Sequence, residues 1–133
     1  MSYYKEISRK RKLISFLFLG LFTWSAYIQL NDPDPYHWFA IYLLVGLLHV
    51  LSLFRPISKR IYWFIFFLLI AYSLYHFSYF MDWIEIDNKN EIFGEMVYEK
   101  PYLEGTREFL GLLICALSLL YPLNISKKNL ENN

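Results

Sequence analysis

Charge is missing from three long stretches of this chain, and that absence sets its class. Residues 13–30, 36–54 and 61–80 contain no Asp, Glu, Lys or Arg over 18, 19 and 20 residues respectively. A helix needs roughly 20 apolar residues to cross about 30 Å of hydrocarbon, so each stretch is long enough to span a bilayer. Cysteine is almost absent as well. Cys115 stands alone, which excludes an internal disulfide and leaves the redox compartment unreadable. It lies in an apolar run and is expected to be a small buried packing residue. No small-x-small cleavage site follows the first stretch, which ends Trp24-Ser25-Ala26-Tyr27-Ile28-Gln29-Leu30. A retained first helix is therefore expected rather than a removed signal peptide. Internal repeats and low-complexity tracts are lacking too.

What is present is grease and aromatic surface. Hydrophobic residues make up 56% of the 133 and aromatics 21%, against roughly 45–50% apolar in ordinary soluble domains. A fourth apolar run, residues 109–121, is shorter, but helix can extend it backward toward Pro101. The expected fold is an all-α integral membrane protein, a four-helix transmembrane bundle. It forms one domain over residues 1–133, with spans at about 13–30, 36–54, 61–80 and 105–122. Residues 81–104 make the one sizeable loop, acidic but studded with Trp83, Ile84, Ile92 and Phe93, so a structured or interface-lying loop is expected. Pro122 is expected to close the last span, and the tail from Asn124 to be loose.

Charge sign segregates by side. Lys5, Arg9, Lys10, Arg11, Lys12, Arg55, Lys59, Arg60, Lys127 and Lys128 flank one set of span ends with only Glu6 and Glu131 among them. The opposite side carries 10 of the 12 acids and 3 of the 13 bases. Basic flanks stay cytoplasmic, so an even number of spans puts both termini there, N-in and C-in. The lysine- and aromatic-rich composition suggests a bacterial cytoplasmic membrane.

Helical spacing gathers polar and small residues into stripes. They are Gly20, Thr23, Trp24, Tyr27 and Asn31 on the first span, and Trp38, Tyr42, Gly46 and His49 on the second. On the third they are Tyr72, Tyr75, His76 and Tyr79, and on the fourth Glu104, Arg107, Glu108, Gly111, Cys115 and Ser118. Such residues collect at helix contacts in lipid, so all four stripes are expected in the bundle interior. Residues before proline avoid helix, so Asn31-Asp32-Pro33-Asp34-Pro35 makes a tight hairpin turn, with Asp34 as N-cap and Pro35 at the first helical position. The candidate polar site is Asn31, Asp32, Asp34, His37, Glu104, Arg107 and Glu108, all at the extracytoplasmic end. Arg107 is expected to pair with a carboxylate of its own helix or with Asp32 or Asp34, which brings the turn to the start of the last span.

The run Gln29-Leu30-Asn31-Asp32-Pro33-Asp34-Pro35 with Trp38 and Tyr42, followed by Glu104-x-x-Arg107-Glu108-x-x-Gly111-Leu112, resembles the transmembrane protein 220 family. The resemblance runs from the first span to the last. It implies a multispan membrane protein of poorly defined function and supplies neither catalytic residues nor a cofactor. The loop of residues 81–100 looks longer than in the family, and nothing is carried over there.

The leading expectation is a non-enzymatic membrane component, a partner subunit or scaffold, whose charge network fixes helix register. Its partners are the lipid bilayer and a second protein or second copy. The alternative is a membrane-embedded metal or small-ligand site, catalytic or purely binding, built from Asp32, Asp34, His37, Glu104 and Glu108, since carboxylates with histidine ligate zinc, iron or manganese. Arg107 would compete with a cation, and the spacing matches no specific metal motif. Haem between paired histidines is disfavoured, because His49 and His76 differ by roughly 14 Å in depth at 1.5 Å per residue. A transporter ranks lower still, as no charge lies deep in a span and no broken helix near the midplane is expected. Nucleic acid is not an expected partner.

Overall fold

A backbone in hydrocarbon has to satisfy its own N–H and C=O groups, and helix is the way a single segment does so. The computed structural model describes residues 7–31, 34–87, 89–93 and 101–131, and no strand occurs among the described residues. Among them six α-helices follow in chain order: α1 (Arg9–Ile28), α2 (Pro35–Phe54), α3 (Lys59–Tyr75), α4 (Phe77–Glu85), α5 (Pro101–Ser118) and α6 (Leu120–Glu131). Short 3₁₀ turns occupy Gln29–Asn31 and Lys89–Phe93. Arg9–Asn31, Pro35–Phe54 and Tyr102–Ile125 are each long and apolar enough to cross a membrane. The pair α3–α4 meets the same test jointly but is bent by 48°. Among the described residues there are therefore three candidate spans, or four if the bent pair counts as one.

The chain forms two compact units, Met1–Tyr62 with Ser118–Asn133, and Trp63–Leu117. In the first, α1 lies against α2. Phe22 and Ala26 of α1 and Val45 and Leu48 of α2 are buried. Gly46 sets the approach: a Cβ there would stand 3.2 Å from Phe22 Cβ and 3.4 Å from Leu19 Cδ1. The absent side chain is what lets the Phe22 ridge close onto α2.

That seating turns α1 away from the expected orientation. Its Gly20–Tyr27 stripe faces outward, with Trp24 63% and Tyr27 62% exposed, and nothing within 4 Å of a Cβ at Gly20. The bulky Phe22 fits Gly46 where the polar stripe does not. The α2 stripe is buried at Trp38, Tyr42, Gly46 and His49, as expected. In the third run, Tyr75 at the end of α3 is exposed while His76, between α3 and α4, is buried; on α5, Cys115 and Ser118 are buried.

Two expected features of the last and third spans are also corrected. Pro122 does not close the helix. The chain turns at Leu119, so Pro122 sits in the first turn of α6, where a missing N–H is tolerated, and helix continues to Glu131. The third span is broken although it contains neither proline nor glycine. His76 N–H bonds to Ser73 O at 2.9 Å and Tyr79 N–H to His76 O at 3.2 Å, both three residues back rather than four.

Candidate functional site

In the second unit, α5 is fastened to the bend by hydroxyls and by one acid. Ser73 Oγ donates to the carbonyl of Phe109 at 3.2 Å, and Thr106 Oγ1 donates to the carbonyl of Tyr79 at 3.0 Å. Thr106 is fully buried. Backbone carbonyls around a tightened turn make poor intrahelical acceptors, so a hydroxyl from a neighbouring helix is a natural donor. Gly105 makes the approach feasible: a Cβ there would run into the Tyr79 ring and stand 2.6 Å from Tyr79 Cβ. Phe109 then stacks near Phe80, with ring centroids 4.7 Å apart.

Glu108 completes the fastening. Its Oε2 lies 3.0 Å from Nδ1 of His76, the residue at the break, and both side chains are largely buried. Tyr72, Tyr75 and Tyr79 surround the imidazole at ring distances of 5.1, 5.2 and 6.3 Å. The two groups stand at ion-pair distance, and a low-dielectric surrounding strengthens their attraction whenever the imidazole is protonated. One residue earlier, Arg107 Nε donates to the carbonyl of Ile92 at 2.6 Å. Sequence spacing had offered carboxylates as acceptors; the loop backbone is what receives this N–H. Glu104 is half-buried in the first turn of α5, where a negative charge meets the positive end of the helix dipole. In the segment before it, Lys89 Nζ donates to the carbonyls of Ile84 and Ile86 at 2.9 and 3.2 Å, closing the end of α4.

The remaining expected site residues belong to the first unit. Asn31 lies exposed in the 3₁₀ turn after α1, and Asp32 is outside the described residues. Asp34 is the N-cap residue of α2, with Pro35 at the first helical position, but its side chain makes no capping bond. His37 is exposed and meets Trp38 edge-on at 5.3 Å. The structure thus brings Glu104, Arg107 and Glu108 together on α5 and places Asn31, Asp34 and His37 in a different unit. Among the described residues, no three of His, Cys, Asp or Glu cluster as a metal-binding set.

A second buried histidine was noted in the sequence only as one member of a stripe. His49 Nε2 lies 3.0 Å from Ser118 Oγ, and the imidazole stacks on Phe18 at 4.3 Å. Its Nδ1 has no partner among the described residues. Ser52 Oγ donates to the His49 carbonyl at 2.6 Å, and Arg11 Nη2 donates to the Ser52 carbonyl at 3.1 Å. No spacing rule links residues 49 and 118; only the docking of helix ends within the unit could disclose the pair.

Both buried histidines, the Arg107–Glu108 pair and every candidate residue from Asn31 onward lie within residues 21–124, which match the profile of "Transmembrane family 220, helix". The chain belongs to this family. A relative, "Transmembrane protein 220" of Xenopus laevis, is 32% identical over 53 residues, covering 39% of this chain and 29% of the relative. The aligned part is thus well under two thirds of that relative. No solved structure matches the family 220 chain. It is an integral, multi-pass membrane protein: the family match and the apolar helices agree on that.

Proposed function

We propose that the chain is a non-enzymatic component of a membrane, spanning it four times with both termini cytoplasmic, and working as a scaffold or partner subunit. The observation that carries this reading is how the half-buried charges are used. Glu108 engages the imidazole at the helix break, and Arg107 engages the loop carbonyl of Ile92. Both contacts hold segments of the same unit to one another, which is what a register-fixing network does. The outward stripe of α1, with Gly20, Thr23, Trp24 and Tyr27, supports a protein partner or second copy, since small and hydrogen-bonding residues favour helix contact over lipid.

Asn31, Asp32, Asp34 and His37 are kept in the proposed network on charge and sidedness alone. Strict additivity between Asp34→Ala and Arg107→Ala in a double-mutant cycle removes them from it. The animal relative lends no support to the bacterial membrane that composition suggested.

The alternative, a metal or small-ligand site at the same face, is favoured by one observation: His76 and Glu108 are two ligand-type groups side by side. Purification in mild detergent tests both readings. A stoichiometric protein partner or a defined oligomer supports the first. Stoichiometric metal that is lost in Glu108→Gln replaces it with the second.

A further inference from the structure

One end of the first unit carries a set of cations that no described carboxylate pairs with. Arg9, Lys10, Arg11 and Lys12 make up the first turn of α1, which contains no acid. The helix α3 opens with Lys59 and Arg60, again with no acid in its first turn. Among the described residues, none of Arg9, Lys10, Arg11, Lys12, Lys59 and Arg60 has a carboxylate within ion-pair distance. Positive charge at the start of a helix opposes the dipole, and an anion placed beside it relieves that repulsion.

Arg11 gives this surface a defined centre. It is half-buried, and its Nη2 is committed to the Ser52 carbonyl at 3.1 Å, across the junction between the start of α1 and the last turn of α2. A guanidinium has five donors in a rigid fork. Among the described residues one of them is used here, and the bond holds the group against the last turn of α2. Topology alone requires charge in this region but not a pinned guanidinium.

We propose that this end of the protein is a binding surface for anionic phospholipid headgroups, with Arg11 holding the phosphate and Lys12, Lys59 and Arg60 supplying the surrounding charge. The source is the bilayer itself. A phosphodiester there is confined to the depth of these side chains, matches the fork geometry of arginine, and is present at far higher local concentration than a free anion. The inference requires only that the protein spans the membrane; it does not depend on which side the basic end faces or on the network near Glu108.

The test uses the full chain in neutral detergent, titrated with phosphatidylglycerol or with phosphatidylcholine. Thermal midpoint and retained lipid by native mass spectrometry are the readouts. Phosphatidylglycerol is expected to raise the midpoint and remain bound, with affinity falling as salt rises, whereas phosphatidylcholine does neither. Arg11→Gln is expected to weaken retention about fivefold, the effect of one charge near the surface. Arg11→Lys keeps the charge and loses the fork, and is expected to fall between. If Arg11→Gln does not give folded protein, the double variant Lys59→Gln, Arg60→Gln, which removes two charges, is expected to weaken retention by more than about fivefold, with Lys89→Gln as the unaffected comparison. Equal response to the two lipids, or retention unchanged in Arg11→Gln and in the double variant, overturns the proposal. So does equal stabilisation by inorganic phosphate alone, which would assign the site to a free anion.

Discussion

His49 and His76 illustrate what a single residue discloses before folding. Spacing alone put His49 on the buried stripe of α2, and it is 1% exposed. Spacing could not supply its partner, because Ser118 lies 69 residues away and two helix ends have to dock first. For polar pairs inside membrane proteins, measured coupling averages about 0.6 kcal/mol and reaches about 1.7, because the reference state in lipid finds other partners. Ser118→Ala is therefore expected to destabilise by about 0.6 kcal/mol in a detergent-unfolding assay, while His49→Leu, which also removes the stacking on Phe18, is expected to exceed it. Equal effects from the two would show that the ring stack contributes nothing. At the other histidine, Glu108→Ala leaves a buried imidazole without its acid and is expected to cost more than Glu108→Gln, whose amide still reaches His76. Carboxylate spacing had identified Glu108 as a site candidate, but its histidine partner was not legible, since only the break in the chain at residue 76 turns that ring toward α5.

At the scale of elements, length and apolarity were legible and interruptions were not. The apolar runs became α1, α2, the α3–α4 pair and α5–α6, because long charge-free segments have few alternatives to helix in lipid. The break in the third run carries no local mark: residues 61–80 contain no proline or glycine. It is sustained by contacts with a distant helix: Ser73 of α3 donates to the Phe109 carbonyl, and Thr106 and Glu108 of α5 reach Tyr79 and His76. Pro122 misled in the opposite direction, because a proline marks a helix start as readily as an end. The element most dependent on one atom's absence is α5, at Gly105. Gly105→Ala places a methyl against the Tyr79 side chain near its Cβ, which cannot swing aside as a chain end could. Overpacking of this kind typically costs about 1–3 kcal/mol. The variant is expected to lose that much stability, while Gly20→Ala on the open face of α1 loses none. A neutral Gly105→Ala would mean that α5 does not approach the bend so closely.

For the whole molecule, the number of crossings turns on the bent pair. If α3 and α4 together cross once, the turn near Ser58 and the loop near Asp87 lie on opposite sides of the membrane, the total is four, and the termini share a side. If the pair turns back, Ser58 and Asp87 share a side and the total is three. Charge argues for the first arrangement. The turn holds Arg55, Lys59 and Arg60, whereas the stretch after the bend holds Asp82, Glu85 and Asp87. Retaining the basic flank on the cytoplasmic side and passing the acidic one across is the arrangement that the positive-inside rule favours. Ser58 and Asp87 are both exposed, and Cys115 is buried and the sole cysteine, so its replacement by alanine leaves a clean background for labelling. In sealed right-side-out vesicles, a membrane-impermeant maleimide is expected to label Asp87→Cys at once and Ser58→Cys only after the vesicles are opened. Labelling of both without opening would make the bent pair a re-entrant segment, reduce the crossings to three, and place the two termini on opposite faces.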